Sequence, residues 1–87
     1  MRREPDFFGD RELVLLYIAK RLSEALKLEN VLTEAGLDYL VEADRYYGGI
    51  IFRGERVGAF FYVPPEMALA ARQLLRDRGY RPLEPGS

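Results

Sequence analysis

The stretch from residue 46 to residue 56, YYGGIIFRGER, concentrates the side chains best suited to binding another molecule. Its tyrosines offer large contact surfaces at low entropic cost, and the glycines beside them let the backbone adapt. A hairpin here would bring its two arginines together, either as a grip for an anion or as two charges that extend into water. The residues predicted to contact a partner protein or a small ligand are Tyr46, Tyr47, Gly48, Gly49, Arg53 and Arg56.

The residue types of catalysis are largely missing. There is no cysteine and no histidine, which excludes disulfides, thiolate nucleophiles, zinc–thiolate sites and histidine-activated nucleophiles. Glu42 and Asp44 stand two residues apart and could hold a metal ion or exchange protons. The sequence offers them no third ligand, so a solvated strand edge is the favoured interpretation. We therefore predict a protein without enzymatic activity, metal or cofactor.

Length and charge set further bounds. The chain has 87 residues and a formal net charge of −1, so it has room for one core and no strong field that would attract nucleic acid or an anionic membrane. No apolar run approaches the roughly 20 residues of a membrane span. The first twelve residues are charged and lack the apolar centre of a secretory signal. These features, with the absence of cysteine, predict a cytoplasmic protein.

The elements that must position these side chains follow the predicted order β-α-β-β-β-α. The apolar run Leu13–Ala19 indicates a strand covered on both faces. The apolar stripe that follows indicates a helix over 23–35, capped by Ser23 and closed by Gly36. The other strands are predicted at 38–44, 50–53 and 56–63, a second helix from Pro65 to Gly79, and a short edge strand at 80–83.

This order indicates an α+β domain of the ferredoxin-like type, with an antiparallel-rich sheet and two helices on one face. Residues 1–12 are predicted to form an arm, 13–83 the single domain and 84–87 a tail.

The predicted hairpin has a two-residue turn at Gly54-Glu55, which places Ile50 opposite Ala59. Side chains then divide between two faces. The face assigned to the helices carries Ile50, Phe52, Val57, Ala59, Phe61 and Val63. The opposite face carries Tyr17, Ile51, Phe60 and Tyr62, which are predicted to form an oligomer interface.

Both faces of the predicted sheet are apolar, yet two helices cover only one of them, and a large apolar patch seldom stays exposed on a monomer. Either the arm folds over the second face with Phe7 and Phe8, or a second copy of the chain does. We predict a homodimer through that face or its edge. An alternative is single-stranded nucleic acid stacked on Tyr17, Phe60 and Tyr62, which the net charge disfavours.

Several short motifs lie within the predicted elements or at their ends. Glu24-Ala25 lies in the first helix, Glu34–Leu37 at its end, and Val63–Glu66 between the last strand and the second helix, which then carries Ala70-Ala71 and Leu74-Leu75. With these motifs most of the chain resembles a family of small bacterial domains of unknown function, described as prokaryotic signal-transducing proteins and grouped by fold with the PII-like regulators.

The resemblance implies a ferredoxin-like sandwich, no enzymatic activity and a regulatory or binding role. In PII proteins the loop between the second and third strands contacts partners. Tyr46–Gly49 takes the corresponding place in the order of elements, so the resemblance implies partner contact at this position.

Overall fold

Within the described residues, 1–47 and 55–83, three strands form an antiparallel sheet that packs against two long helices. The structure is a computed structural model. Its helices are α1 (Pro5–Phe8), α2 (Leu22–Glu34) and α3 (Pro65–Asp77), and its strands are β1 (Val14–Ala19), β2 (Leu40–Tyr47) and β3 (Glu55–Val63). The predicted α+β class is confirmed, and the described residues form fewer strands than the sequence predicts for the chain.

Strand β3 lies at the centre of the sheet, with β1 and β2 on either side. Both neighbours run antiparallel to β3, so β1 and β2 are parallel and α2 is the crossover between them. Ala59 of β3 pairs with Ala19 on one side and with Ala43 on the other. The predicted pairing of Ala59 with Ile50 is therefore wrong, because both of its edges are occupied. The predicted strand 50–53 lies outside the described residues.

Two left-handed glycines end the long helices, as predicted. Gly36 has a φ of 77° and Gly79 a φ of 88°, a region that costs other residues about 1 kcal/mol or more. The amide of Gly36 donates to the carbonyl of Thr33 at 3.0 Å. The next amide, of Leu37, donates to the carbonyl of Leu32 at 3.1 Å. These two bonds form a Schellman motif, and the same pattern closes α3.

The start of α2 differs from the prediction. The N-cap is Arg21, which makes no side-chain cap hydrogen bond, and Ser23 lies inside the first turn rather than at the cap. The carboxylate of Glu24 instead accepts the backbone amide of Lys20 at 3.2 Å. This bond resembles the reach-back half of a capping box, but the amide belongs to the residue before the N-cap.

The main core lies between the sheet and the two long helices. Phe61 and Val63 are fully buried on the helix side of β3, with Ala59 packed beside them, which confirms the predicted phase of this strand. Phe61 stacks on Tyr39 with ring centroids 6.0 Å apart. The buried core consists of Leu16, Ala19, Ala25, Leu28, Leu32, Tyr39, Phe61, Val63, Ala68, Ala71 and Leu75.

A β-bulge in β1 changes which side chains face the helices. Leu15 pairs with Tyr62 and Tyr17 pairs with Phe61, so Leu16 is the extra residue. An extra residue reverses the alternation of faces. Tyr17 therefore packs against the main core, and its predicted place on the opposite face is wrong. Ile18, which pairs with Phe60, takes that place instead.

The N-terminal arm leads from one edge of the sheet to the other. Its first residues lie beside Tyr39, where the amide of Arg3 donates to the tyrosine carbonyl at 2.8 Å. Farther along, Arg11 forms an ion pair with Glu66 at the start of α3. Between these points Phe8 is buried, with 4% of its surface exposed.

Leu40 and Phe60 face away from the helices, and they are nevertheless buried, at 7% and 9% exposure. Neither they nor Phe8 belongs to the main core. We infer that Phe8 and these two side chains form a second, smaller cluster where the arm crosses the sheet. The sequence allows either the arm or a second copy to cover this face, and we infer that the arm covers the part that holds Leu40 and Phe60.

The C-terminal segment runs beside the outer edge of β1. The amide of Leu83 donates to the carbonyl of Leu16 at 2.8 Å. Arg72, a buried residue of α3, donates from Nε to the carbonyl of Leu83 at 2.9 Å. The predicted edge strand at 80–83 is thus present in position, but it does not form a regular ladder.

Candidate functional site: the outer edge of strand β2

The predicted contact residues do not form a loop where the sequence places one. Tyr46 and Tyr47 are the last residues of β2, opposite Arg56 and Glu55 of β3. The predicted loop at Tyr46–Gly49 is therefore wrong for its two tyrosines, because the ladder continues through them, as aromatic residues favour. The remaining predicted site residues, Gly48, Gly49, Ile51 and Arg53, lie outside the described residues.

The end of the β2–β3 hairpin projects beyond the rest of the sheet. The ladder between β1 and β3 stops at Ala59, whereas the ladder between β2 and β3 continues to Glu55. Residues 55–58 therefore pair with β2 alone. Val57 of this two-stranded ribbon points to the helix side. It is nevertheless 66% exposed, because the ribbon projects past the helices here. Val57, which the sequence assigns to the helix-covered face, is thus exposed.

Among the described residues, no strand covers most of the outer edge of β2. The arm pairs with it through a single parallel bridge between Arg2 and Tyr39. Beyond that bridge no other segment in the described part of the chain pairs with the outer edge of 41–47. Such an edge presents backbone donors and acceptors that can pair with another extended segment.

One flank of α2 lies above this edge and is unusually apolar. Leu22 is 75% exposed and Leu26 is 52% exposed. Leu22 shares the lining of a groove of about 210 Å³ with Ala43 of β2 and Val57 of β3. The floor of the groove is made of small residues, so a larger side chain from outside can enter it.

The contacts of Glu29 show that this flank of α2 faces the β2 edge. Its carboxylate lies 3.6 Å from the guanidinium of Arg2 at the β2 edge, and its carbonyl accepts the hydroxyl of Tyr39 at 3.0 Å. Leu26 stands four residues after Leu22 and three before Glu29, which puts all three on one side of the helix. We call the exposed pair Leu22 and Leu26 the α2 ledge.

The opposite side of the β2 edge is acidic. Glu42 pairs with Phe60 and Asp44 with Gly58, so both carboxylates lie on the face away from the helices, as predicted. Both residues are exposed. Desolvation, followed by the charges of these two carboxylates, raises the pKa of the neighbouring Tyr62. No group of three or more acidic side chains that could hold a metal occurs in the described ranges.

A separate cationic cleft of about 420 Å³ lies at the start of α2. Both lysines of the chain reach it, and it is lined by Lys20, Arg21, Ser23, Glu24, Lys27 and Tyr80. The sequence does not reveal this cleft, because Lys20 precedes α2 and Tyr80 comes from the C-terminal segment. Glu24 in the same cleft offsets part of the positive charge.

Two residues that line this cleft, Glu24 and Tyr80, contact Tyr17. Its hydroxyl donates to the carboxylate of Glu24 at 2.9 Å, and its ring meets Tyr80 edge to face at 5.6 Å. Burial, then the hydrogen bond and charge of Glu24, with a smaller contribution from Tyr80, raises the pKa of Tyr17 from 10.0 to about 12.

Replacing Glu24 by glutamine should lower the pKa of Tyr17 from about 12 but leave it above 10.0, because burial is the largest cause and it remains. In the wild-type chain the folded pKa is the higher one, so this tyrosine stabilises the fold below pH 10.0. That contribution is lost as pH rises through about 12. A titration of the tyrosine ring carbons by NMR measures the shift. Glu34→Gln is the control, and an unchanged Tyr17 pKa in Glu24→Gln would contradict the assignment.

The predicted oligomer interface is not assembled as a surface. Tyr17 lies on the helix side, Phe60 is 9% exposed, and only Tyr62, of the three described members, remains half-buried on the opposite face. Among the described residues this face therefore lacks the row of exposed rings that stacking of nucleic-acid bases requires.

Comparison with known proteins finds no match among protein-family models, curated proteins or solved structures. In the part of the chain that the structure describes, the helices are too short or too polar to cross a membrane.

Proposed function

We propose that this chain is a small, non-catalytic binding module that engages a partner protein through the outer edge of β2. The observation that carries the proposal is the position of that edge. It is open beyond Tyr39 among the described residues, and its Ala43 lines a groove together with Leu22 of the α2 ledge, which is 75% exposed. Edge backbone groups provide affinity for an added strand, and neighbouring side chains provide selectivity.

The fold supports a regulatory role of the kind that the resemblance implies. The sheet order β1-β3-β2, with the C-terminal segment on the outer side of β1, corresponds to the strand positions of a ferredoxin-like sheet. We propose this fold for the chain, and a PII-like signalling role in the cytoplasm. In that arrangement the outer edge of β2 is the partner-binding element.

Other occupants are less well supported. A small anionic ligand in the cationic cleft would meet Glu24 beside the lysines. Nucleic acid on the sheet face would find Phe60 largely buried. A homodimer through that face would gain little from Leu40 and Phe60, since one chain already buries them. A homodimer through the β2 edge remains an alternative that the experiment below distinguishes.

Site-specific crosslinking in cells tests the proposal. A photoreactive amino acid at Leu26, on the α2 ledge, should crosslink to one protein identifiable by mass spectrometry. The same amino acid at Leu69, which is 77% exposed on α3, is the matched control and should not. The purified partner should then bind the Leu22→Glu, Leu26→Glu variant more weakly by about tenfold or more, equivalent to roughly 1.4 kcal/mol.

Two results would overturn this function. Equal crosslinking from both positions would show that the α2 ledge is not a specific contact surface. Crosslinks from Leu26 to the chain itself alone, together with a dimer in sedimentation, would assign the edge to self-association.

A further inference from the structure

The N-terminal arm shows how the β2 edge holds an extended segment. The amide of Arg3 donates to the carbonyl of Tyr39 at 2.8 Å, and the amide of Tyr39 donates to the carbonyl of Met1 at 3.2 Å. These bonds join the first three residues to the chain just before β2 through a single parallel bridge at Tyr39. The start of this edge thus accepts extended backbone.

The first three residues include two arginines, and each lies near a carboxylate. On the helix side the guanidinium of Arg2 lies 3.6 Å from Glu29 of α2. Two residues before β2, Asp38 accepts a hydrogen bond from Nε of Arg3 at 2.8 Å. The edge thus accepts positive side chains as well as extended backbone, and each such pair contributes a few tenths of a kcal/mol to about 1 kcal/mol.

Acidic side chains also occur on β2 itself, beyond the bridge between Arg2 and Tyr39. Glu42 and Asp44 face the side away from the helices, while the α2 ledge and Val41, Ala43 and the small groove residues offer an apolar side. A strand placed against 41–47 would alternate between these two environments, because successive side chains point to opposite faces.

From this geometry we propose that the β2 edge binds an extended peptide segment in which basic residues alternate with large apolar residues. The basic residues face Glu42 and Asp44, and the apolar residues lie under Leu22 and Leu26. This inference rests on the proposed function and names the chemistry of the partner.

A second copy of β2 is a poor occupant of the same edge. Antiparallel pairing about Ala43 would place Glu42 opposite Asp44 of the other copy at two positions. Pairing about Asp44 would place the two Asp44 carboxylates directly opposite each other. Like charges at facing positions destabilise a ladder, so the charge pattern favours a basic partner over self-pairing.

Binding of synthetic peptides to the full chain tests the inference. The probe is a fluorescent peptide of alternating arginine and valine, long enough to span 41–47. A peptide of the same composition with its arginines in one block controls for non-specific charge attraction. In fluorescence anisotropy the alternating peptide should bind about tenfold more tightly than the block peptide, a difference of roughly 1.4 kcal/mol. Hydrogen exchange should show protection of amides in 41–47.

Charge reversal supplies the second arm of the test. The variant Glu42→Lys, Asp44→Lys should lose about tenfold in affinity for the alternating peptide and should prefer a peptide of alternating glutamate and valine. The control Glu12→Lys, Glu34→Lys changes two exposed glutamates elsewhere and alters the net charge by the same amount. It should bind like the wild type. Circular dichroism verifies that both variants are folded.

Absence of binding, equal binding of the alternating and block peptides, or equal loss in both charge-reversal variants would each overturn the inference. The proposed function fails separately: crosslinks from Leu26 to a partner without alternating basic residues would preserve the binding module and eliminate this partner class. Protection of the edge amides without peptide, in a sedimenting dimer, would assign the edge to a second copy.

Discussion

Replacing Phe61 by alanine should lower the free energy of unfolding by about 3–5 kcal/mol. Phe61 is fully buried in the central strand, and its ring stacks on that of Tyr39 at 6.0 Å. The change removes apolar contacts and leaves a cavity between the sheet and both long helices. Since a small domain is stable by only about 5–15 kcal/mol, the variant should be partly unfolded or much easier to denature in urea.

The matched control is Val57→Ala on the same strand and the same face. Val57 is 66% exposed, so its truncation should change the unfolding free energy by less than about 0.5 kcal/mol. Urea titrations followed by circular dichroism measure both variants. Similar losses for the two would show that burial along β3 is assigned to the wrong residues.

Replacing Phe8 by alanine should lower the free energy of unfolding by about 3 kcal/mol and release the N-terminal arm. Phe8 is 4% exposed, although it belongs to a helix of only four residues that could not persist alone. Its burial therefore fixes the arm in place. Loss of the anchor should uncover Leu40 and Phe60, which would increase binding of a hydrophobic dye and promote self-association at high concentration.

The adjacent Phe7 provides the control for this change. It is 54% exposed, and its described contacts are the edge-to-face packing on Phe8 and the Arg3 guanidinium 4.3 Å from its ring centre. Phe7→Ala should cost no more than about 1 kcal/mol. Light scattering and dye fluorescence compare the two variants. If Phe8→Ala remained monomeric with no gain in dye binding, the arm would not be the cover of this face.

The sequence specifies the helix ends better than the strand boundaries. Gly36 and Gly79 stop their helices because the left-handed conformation leaves little choice of residue. The glycines after Tyr47 carry no comparable information. They suggested that the strand ends before Tyr46, whereas pairing with β3 continues through Tyr47. A ladder depends on its partner, and the sequence of one strand does not name that partner.

The bulge in β1 was beyond prediction for a related reason. The run Leu13–Ala19 is apolar at every position, so it contains no alternation that an extra residue at Leu16 could interrupt. The face of Tyr17 was consequently assigned wrongly. For β3 the polar tip and the apolar alternation did carry the phase, and Phe61 is buried as expected.

The candidate site was recognised only in part. The alternation of Glu42 and Asp44 with Val41 and Ala43 predicted a strand with one wet face, near an edge. The α2 ledge was missed: Leu22 continues the spacing of the core stripe and yet is 75% exposed, and Leu26, which lies beside that stripe, is 52% exposed. Leucines outside the stripe that a helix needs for its own packing indicate a second apolar surface.

The buried guanidinium of Arg72 has a consequence for the far end of the chain. It donates to the carbonyl of Leu83, and the amide of that same residue donates to β1. One residue near the C-terminus, Leu83, therefore joins a helix to a sheet margin. In a chain truncated before residue 83, water would have to replace Leu83 as the partner of Arg72 Nε and of the Leu16 carbonyl. Shortening this end would therefore loosen the structure on the side opposite the proposed binding edge.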